Sequence, residues 1–292
     1  MAVYKRNYKR YDGASTNPRW RFTILPRYSF KSVFESRMFL TFFIACFVPS
    51  VIALALVYLR ANTGILQSAG IGDASDLTKV FAIDTTFFLT LFRVQTFLTF
   101  ILGMFLGPGL VSPDLVNNAL PLYLSRPFSR YEYVLGKLCV LGTLASLITW
   151  VPGLLIFLVQ SNLEPGWMGS HLRIAFAIFA GSLLWIGLVA LLGLAASAWV
   201  KLKPLAAAAM FGVFFVAAAF GELSHEIMGL SRQWGMLMDI TEVMNMIWNW
   251  LFAGTTEYRT LPVWTGFVSI GFFYSVSVFM LWKKIRACEV VR

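Results

Sequence analysis

Charge is scarce in this chain: 13% of its 292 residues are Asp, Glu, Lys or Arg, where a soluble domain carries about a quarter. With 58% hydrophobic residues and a mean hydropathy of +0.72, that deficit excludes an ordinary soluble globule. Histidine is rarer still, at His171 and His225 alone, both at the ends of apolar blocks. No G-x-S-x-G stands in an apolar block either, so an intramembrane hydrolase, which needs a nucleophile and a base at depth, is set aside. Cys46 and Cys139 fall inside apolar blocks and Cys288 in the basic tail, with no pair placed for a disulfide or a metal site. The phosphate-binding G-x-x-x-x-G-K-[ST] loop is missing: Gly136-Lys137 lacks both the upstream glycine and the following Ser or Thr. The chain is therefore expected to bind no cofactor or metal of its own and not to be an enzyme.

What is present is long apolar sequence. A helix crosses the hydrocarbon core with about 20 mostly apolar residues, and six blocks qualify: 38–59, 87–111, 134–160, 172–200, 205–223 and 261–282. Pro49, Pro108 and Pro152-Gly153 sit inside them, where kinks are tolerated if neighbours satisfy the freed backbone groups. Aromatic content of 16%, with ten Trp, suits anchoring at two lipid interfaces. The expected fold is all-α: a polytopic membrane protein of six transmembrane helices in a multi-pass plasma (bacterial inner) membrane.

The net charge of +10 is concentrated. Nine Lys and Arg lie in the first 37 residues, and others flank the apolar blocks. Such placement fits topology and contact with anionic headgroups rather than nucleic acid, for which no motif is present. Arg126, Arg130, Lys137, Lys201, Lys203, Lys283, Lys284, Arg286 and Arg292 share one set of compartments with that N-terminus; the other set holds only Arg60, Lys79, Arg173, Arg232 and Arg259. The positive-inside rule then puts both termini in the cytoplasm. Residues 1–37, with no apolar core or cleavage-like site of a signal peptide, form a basic cytoplasmic segment. Residues 38–282 form the membrane domain, and 283–292 a basic tail.

Three stretches outside the spans are organised. Tyr28, Phe30, Val33 and Phe34 among basic residues predict a short interfacial helix before the first span. Trp234, Leu237, Met238, Met244, Ile247, Trp248 and Leu251 recur near helical period, predicting an outer amphipathic helix, or a broken pair, lying in or dipping into the outer leaflet before the last span. The third stretch, about 112–133, joins spans two and three on the cytoplasmic side. Ser112 can cap a short helix with Pro113 at its first position and Asp114 at the positive end of its dipole. That helix is expected to end near Pro121. Ser129-Arg130-Tyr131-Glu132 has the form of a capping box that starts span three.

The run Leu124-Ser125-Arg126-Pro127-Phe128-Ser129-Arg130, followed by Tyr133 and Gly136-Lys137, resembles the permease subunits of type-2, exporter-class ABC transporters. The likeness is carried by about thirty residues, and elsewhere by the order of features: basic interfacial helix, six spans, outer amphipathic helix. It implies a separate ATP-binding subunit that holds ATP and magnesium, and a second permease subunit, in a homodimer or with a related chain. It also implies that the ATPase docks on Asp114, Leu115, Asn118, Leu120, Leu122, Tyr123, Leu124, Ser125, Arg126, Pro127 and Arg130. Arg126 and Arg130 either hold the loop against Asp114 or Glu132 or anchor at headgroups; Lys137 is expected to snorkel. Among intramembrane polar groups, Arg93 and Gln95 near the start of span two, and Glu222 and Glu226 at the outer end of span five, are either functional or interfacial. The Phe-, Leu- and Ala-rich spans lean towards lipid-like cargo and the resemblance towards export. An ion-coupled carrier or a non-transporting scaffold are the alternatives; the carrier would want inverted repeats and midplane charge, of which the sequence shows little.

Overall fold

The computed structural model describes residues 23–62, 64, 82–117, 119, 129–200, 202–228, 232–253 and 261–285, without the side chains of 224–228, 232 and 233. Among them there is no strand, and six helical segments are long and apolar enough to cross a membrane. The chain is an all-α polytopic membrane protein. The short interfacial helix is α1 (Ile24–Phe34), which buries Leu25 and Pro26 and exposes Tyr28 and Phe34.

Proline decides where the spans break. The first span is α2 (Arg37–Ala45) followed by α3 (Val48–Ala61). The third is α5 (Arg130–Ile148) followed by α6 (Trp150–Leu163), with Thr149 at φ −97° and ψ −91° between them. A proline ring collides with the carbonyl four residues earlier and brings no N–H. Those carbonyls belong to Ala45 for Pro49 and Ile148 for Pro152, the last residues of α2 and α5. At the second break the Thr149 amide and hydroxyl both donate to the Ala145 carbonyl, at 3.0 and 2.8 Å.

The second span, α4 (Thr85–Val116), starts at Asp84, whose carboxylate accepts from the Phe87 amide at 3.0 Å. It runs unbroken through Pro108 and Pro113. The fourth is α7 (Trp167–Trp199) and the fifth begins α8 (Lys203–Met228). Then come α9 (Arg232–Met236), α10 (Ile240–Phe252) and the last span, α11 (Val263–Lys284). The expected broken pair is thus α9 and α10. Ile240, Val243, Met244, Ile247, Leu251 and Phe252 of α10 are all buried among the spans. A helix sunk there must have both ends satisfied by protein. Asp239 accepts from the amides of Thr241 and Glu242 at 2.8 and 3.3 Å. Arg173 of α7 donates to the carbonyls of Leu251 and Trp250 at 2.9 and 2.5 Å.

Two cores stack along the bundle, and α4 and α7 run through both. One gathers Phe88, Phe92, Phe157, Trp167, Trp185 and Trp248. The other gathers Phe39, Phe43, Leu106, Tyr133, Val140 and Leu281. The second core adjoins the end that carries α1, the 117–129 connection, the 200–203 turn and the close of α11, where Lys284 lies 5.4 Å over the Trp199 ring. This is the basic end. In their most apolar stretches the second, third and fourth spans are 61%, 56% and 56% buried, and the first, fifth and sixth only 28%, 22% and 22%. The latter three form the apolar rim, exposing Ile52, Phe215 and Phe272.

Candidate functional site

At the basic end, α4 and α7 meet along a seam of small residues. Gly103 and Gly107 on α4, four apart and so on one face, oppose Val189 and Gly193 on α7. A Cβ on Gly107 would lie 3.0 Å from the Gly193 Cα, so the backbones themselves are in contact. One further turn of α7 brings Ser197, fully buried, against the proline-disturbed stretch of α4. Its Oγ accepts from the amides of Val111 and Ser112 at 3.2 and 2.8 Å. Its hydroxyl donates to the Pro108 carbonyl at 3.0 Å. A side chain from the neighbouring helix thus bonds backbone groups of the turn between the two prolines, and α4 continues through both. Ser197→Ala should speed hydrogen exchange in residues 109–114, with a loss of about 1–3 kcal/mol for the orphaned groups. Ser197→Thr should keep wild-type exchange, and equal exchange in Ser197→Ala would remove this role.

The end of α4 is then fastened to the start of α5. Asp114 and Lys137 form an ion pair of 2.9 Å, with side chains 17% and 8% exposed. Tyr133, one turn before Lys137 on the same face of α5, is buried and donates its hydroxyl to the same Asp114 oxygen at 2.8 Å. Lys137 Nζ also lies 5.6 Å from the centre of the Tyr133 ring. The other foot of the connection carries the capping box: the Ser129 amide donates to Glu132 at 2.6 Å, and the Glu132 amide to Ser129 at 3.2 Å. Both feet of the 117–129 connection are therefore held by side-chain bonds.

Several expectations change. Ser112 does not cap a new helix; it is buried inside α4, which ends only at Val116. Lys137 does not snorkel, because the Asp114 carboxylate and the Tyr133 ring hold it within the bundle. Among the described residues Asp114 takes Lys137 as its cation rather than Arg130. Leu115 is half-buried against the second core, and Arg130 is exposed at the first turn of α5. Asn118, Leu120, Leu122, Tyr123, Leu124, Ser125, Arg126 and Pro127 lie outside the described residues.

The polar residues at the opposite end do not join this cluster. Gln95 is buried and donates to Ser50 Oγ at 2.9 Å, tying α4 to α3. Arg93 is exposed, two turns inside α4, and donates to Asn249 of α10 at 3.2 Å. It stands at one edge of a 450 Å³ crevice walled by Phe97, Phe100, Trp185, Phe214 and Trp248. Glu222 is exposed near the close of the fifth span, and the Glu226 and His225 side chains lie outside the described set. Among the described residues no three His, Cys, Asp or Glu gather where they could hold a metal ion.

Sequence reasoning missed Ser197 and gave Lys137 a different role. The four-residue spacings Gly103–Gly107 and Gly193–Ser197 are the signal for the seam, and Tyr133–Lys137 has the same spacing on α5. No protein-family model matches the chain, and no curated protein matches it.

Proposed function

We propose that the chain is the membrane-spanning permease subunit of an ATP-driven ABC transporter of the exporter class. In this reading the basic end faces the cytoplasm of a bacterial inner membrane, with both termini there, and a separate ATPase subunit that carries ATP and magnesium docks on the 112–133 segment. A second permease chain, identical or related, completes the complex. One observation carries most weight beside the sequence resemblance: the Asp114–Tyr133–Lys137 cluster ties the two feet of the docking segment together. A push on a loose loop would be dissipated. A push on this one reaches α4 and α5 as a unit, and α4 passes it to α7 through the Gly107–Gly193 contact and Ser197. The cargo in this reading is lipid-like or amphipathic, consistent with the aromatic walls of the crevice beside Arg93.

The experiment is to tag the chain after Arg292, extract native membranes in mild detergent and identify what co-purifies. A soluble P-loop ATPase in roughly equal amount is expected, lost on replacing 118–127 by a Gly/Ser linker while the permease remains folded. A preparation free of ATPase even after crosslinking in intact cells would overturn the proposal in favour of an ion-coupled carrier or a scaffold.

A further inference from the structure

A slot of about 490 Å³ opens at the basic end between α1, the start of α2 and the last third of α4. Its walls change character with depth. Phe39, Phe42 and Leu106 line it towards the middle of the bundle, joined by Phe105, which is 53% exposed. Towards the end lie the hydroxyls of Ser29 and Ser32, three apart on one face of α1, and of Ser36, which also accepts from the Phe39 amide at 3.4 Å. From Phe105 to Asp114 the slot follows nine residues of α4, about 14 Å at the helical rise.

Three charged groups line it: Asp114, Lys137 and Lys203. The first two neutralise each other at 2.9 Å. Lys203 makes no ion pair among the described residues, so those that line the slot sum to one positive charge. That lysine opens α8, where the helix dipole adds to the attraction for an anion. Arg27, Lys31 and Arg37 are exposed on the adjoining α1 and α2. An apolar floor open to the lipid side, a row of hydroxyls above it and a lone cation at the level of the helix ends match one kind of occupant. A soluble anion would leave the phenylalanine floor unused, and an acyl chain alone would leave Lys203 and the serines unused.

We propose that the slot binds one anionic glycerophospholipid from the leaflet at the basic end. Its phosphate lies by Lys203 and the serine hydroxyls, and one acyl chain lies against Phe42 and Phe105. The site stands whether or not an ATPase partners the chain, since it needs only the bilayer. Because Asp114 and Lys137 line the same slot, the occupant also shields that ion pair from water.

The test uses the full chain in nanodiscs of phosphatidylcholine and phosphatidylglycerol, released into mild detergent for native mass spectrometry. Wild type is expected to retain one phosphatidylglycerol per chain. Lys203→Gln should lower that retention about fivefold, the factor matching about 1 kcal/mol per lysine at an anionic surface. Lys284→Gln, at the same end but outside the slot, should leave retention unchanged. Gly109 lines the slot and a Cβ there meets nothing within 4 Å, so Gly109→Leu fills the space and should abolish retention. Ser32→Leu fills it from the opposite wall and serves if Gly109→Leu does not fold, as judged by thermal unfolding in the same detergent. Equal retention of phosphatidylcholine and phosphatidylglycerol, undiminished phosphatidylglycerol in a folded slot-filled variant, or displacement by soluble glycerol phosphate alone would each overturn the proposal.

Discussion

Replacing Asp114 by alanine is expected to destabilise the protein by about 3 kcal/mol, because it leaves the Lys137 ammonium buried without a counter-charge. The geometry is what makes the effect large. Lys137 is 8% exposed, and its nearest anion is the Asp114 carboxylate at 2.9 Å. The same substitution takes the acceptor from the Tyr133 hydroxyl, a second buried polar group. Coulomb attraction between exposed charges would be worth far less. The double variant Asp114→Ala/Lys137→Met removes both charges and keeps an apolar stem in place of the lysine. It should recover most of the loss, since a buried pair replaced by well-packed apolar groups costs little. Unfolding of the three proteins in mixed detergent micelles gives the cycle. If Asp114→Ala unfolds like wild type, the pair is not buried in the membrane-embedded protein. If the double variant is no better than the single, the loss comes from packing around Asp114 rather than from an orphaned charge.

The second large effect lies at the seam. Gly107→Ala should cost about 2 kcal/mol, within the range for overpacking a tight contact, and Gly107→Leu should prevent assembly of α4 against α7. The new methyl would fall 3.0 Å from the Gly193 Cα, and backbone cannot swing aside as a flexible side chain does. Gly142→Ala is the matched control. It also sits in a span, but its Cβ would meet nothing within 4 Å, so the helix preference of alanine should leave stability equal or slightly higher. Thermal unfolding of both alanine variants decides the matter: similar midpoints would mean that the helices separate freely at the seam.

Much of the fold was legible in the residues because the lipid solvent imposes a simple rule. Apolar length marks a span, and the six expected blocks each overlap one observed span. The breaks at Pro49 and Pro152 were legible for the same local reason, a ring colliding with a carbonyl one turn back. Pro108 lies inside a span and Pro113 reads as the start of a new helix, yet α4 runs through both, with its backbone between them bonded by a serine 85 or more residues away. The depth of α10 was legible only as one of two alternatives, lying in the leaflet or dipping into it. Its period announced an apolar face, while the partners that face packs on and the Arg173 that reaches its last carbonyls come from other helices. At the candidate site the capping box at Ser129 could be read directly, since all its atoms lie within four residues. The Asp114–Lys137 pair could not, since two helices must first be brought together.

The distribution of helix breaks gives the bundle unequal stiffness. The second and fourth spans are continuous rods of 32 and 33 residues, whereas the first and third each have a joint near mid-length, at Cys46-Phe47 and at Thr149. The halves beyond those joints, α3 and α6, pack on each other. Bending an intact helix means opening ladder bonds that would otherwise hold, but at these two joints prolines have already removed the donors. Those two joints are therefore where the first and third spans lose least by bending, while the Gln95–Ser50 bond and the packing of α6 on α7 hold their far halves to the rods.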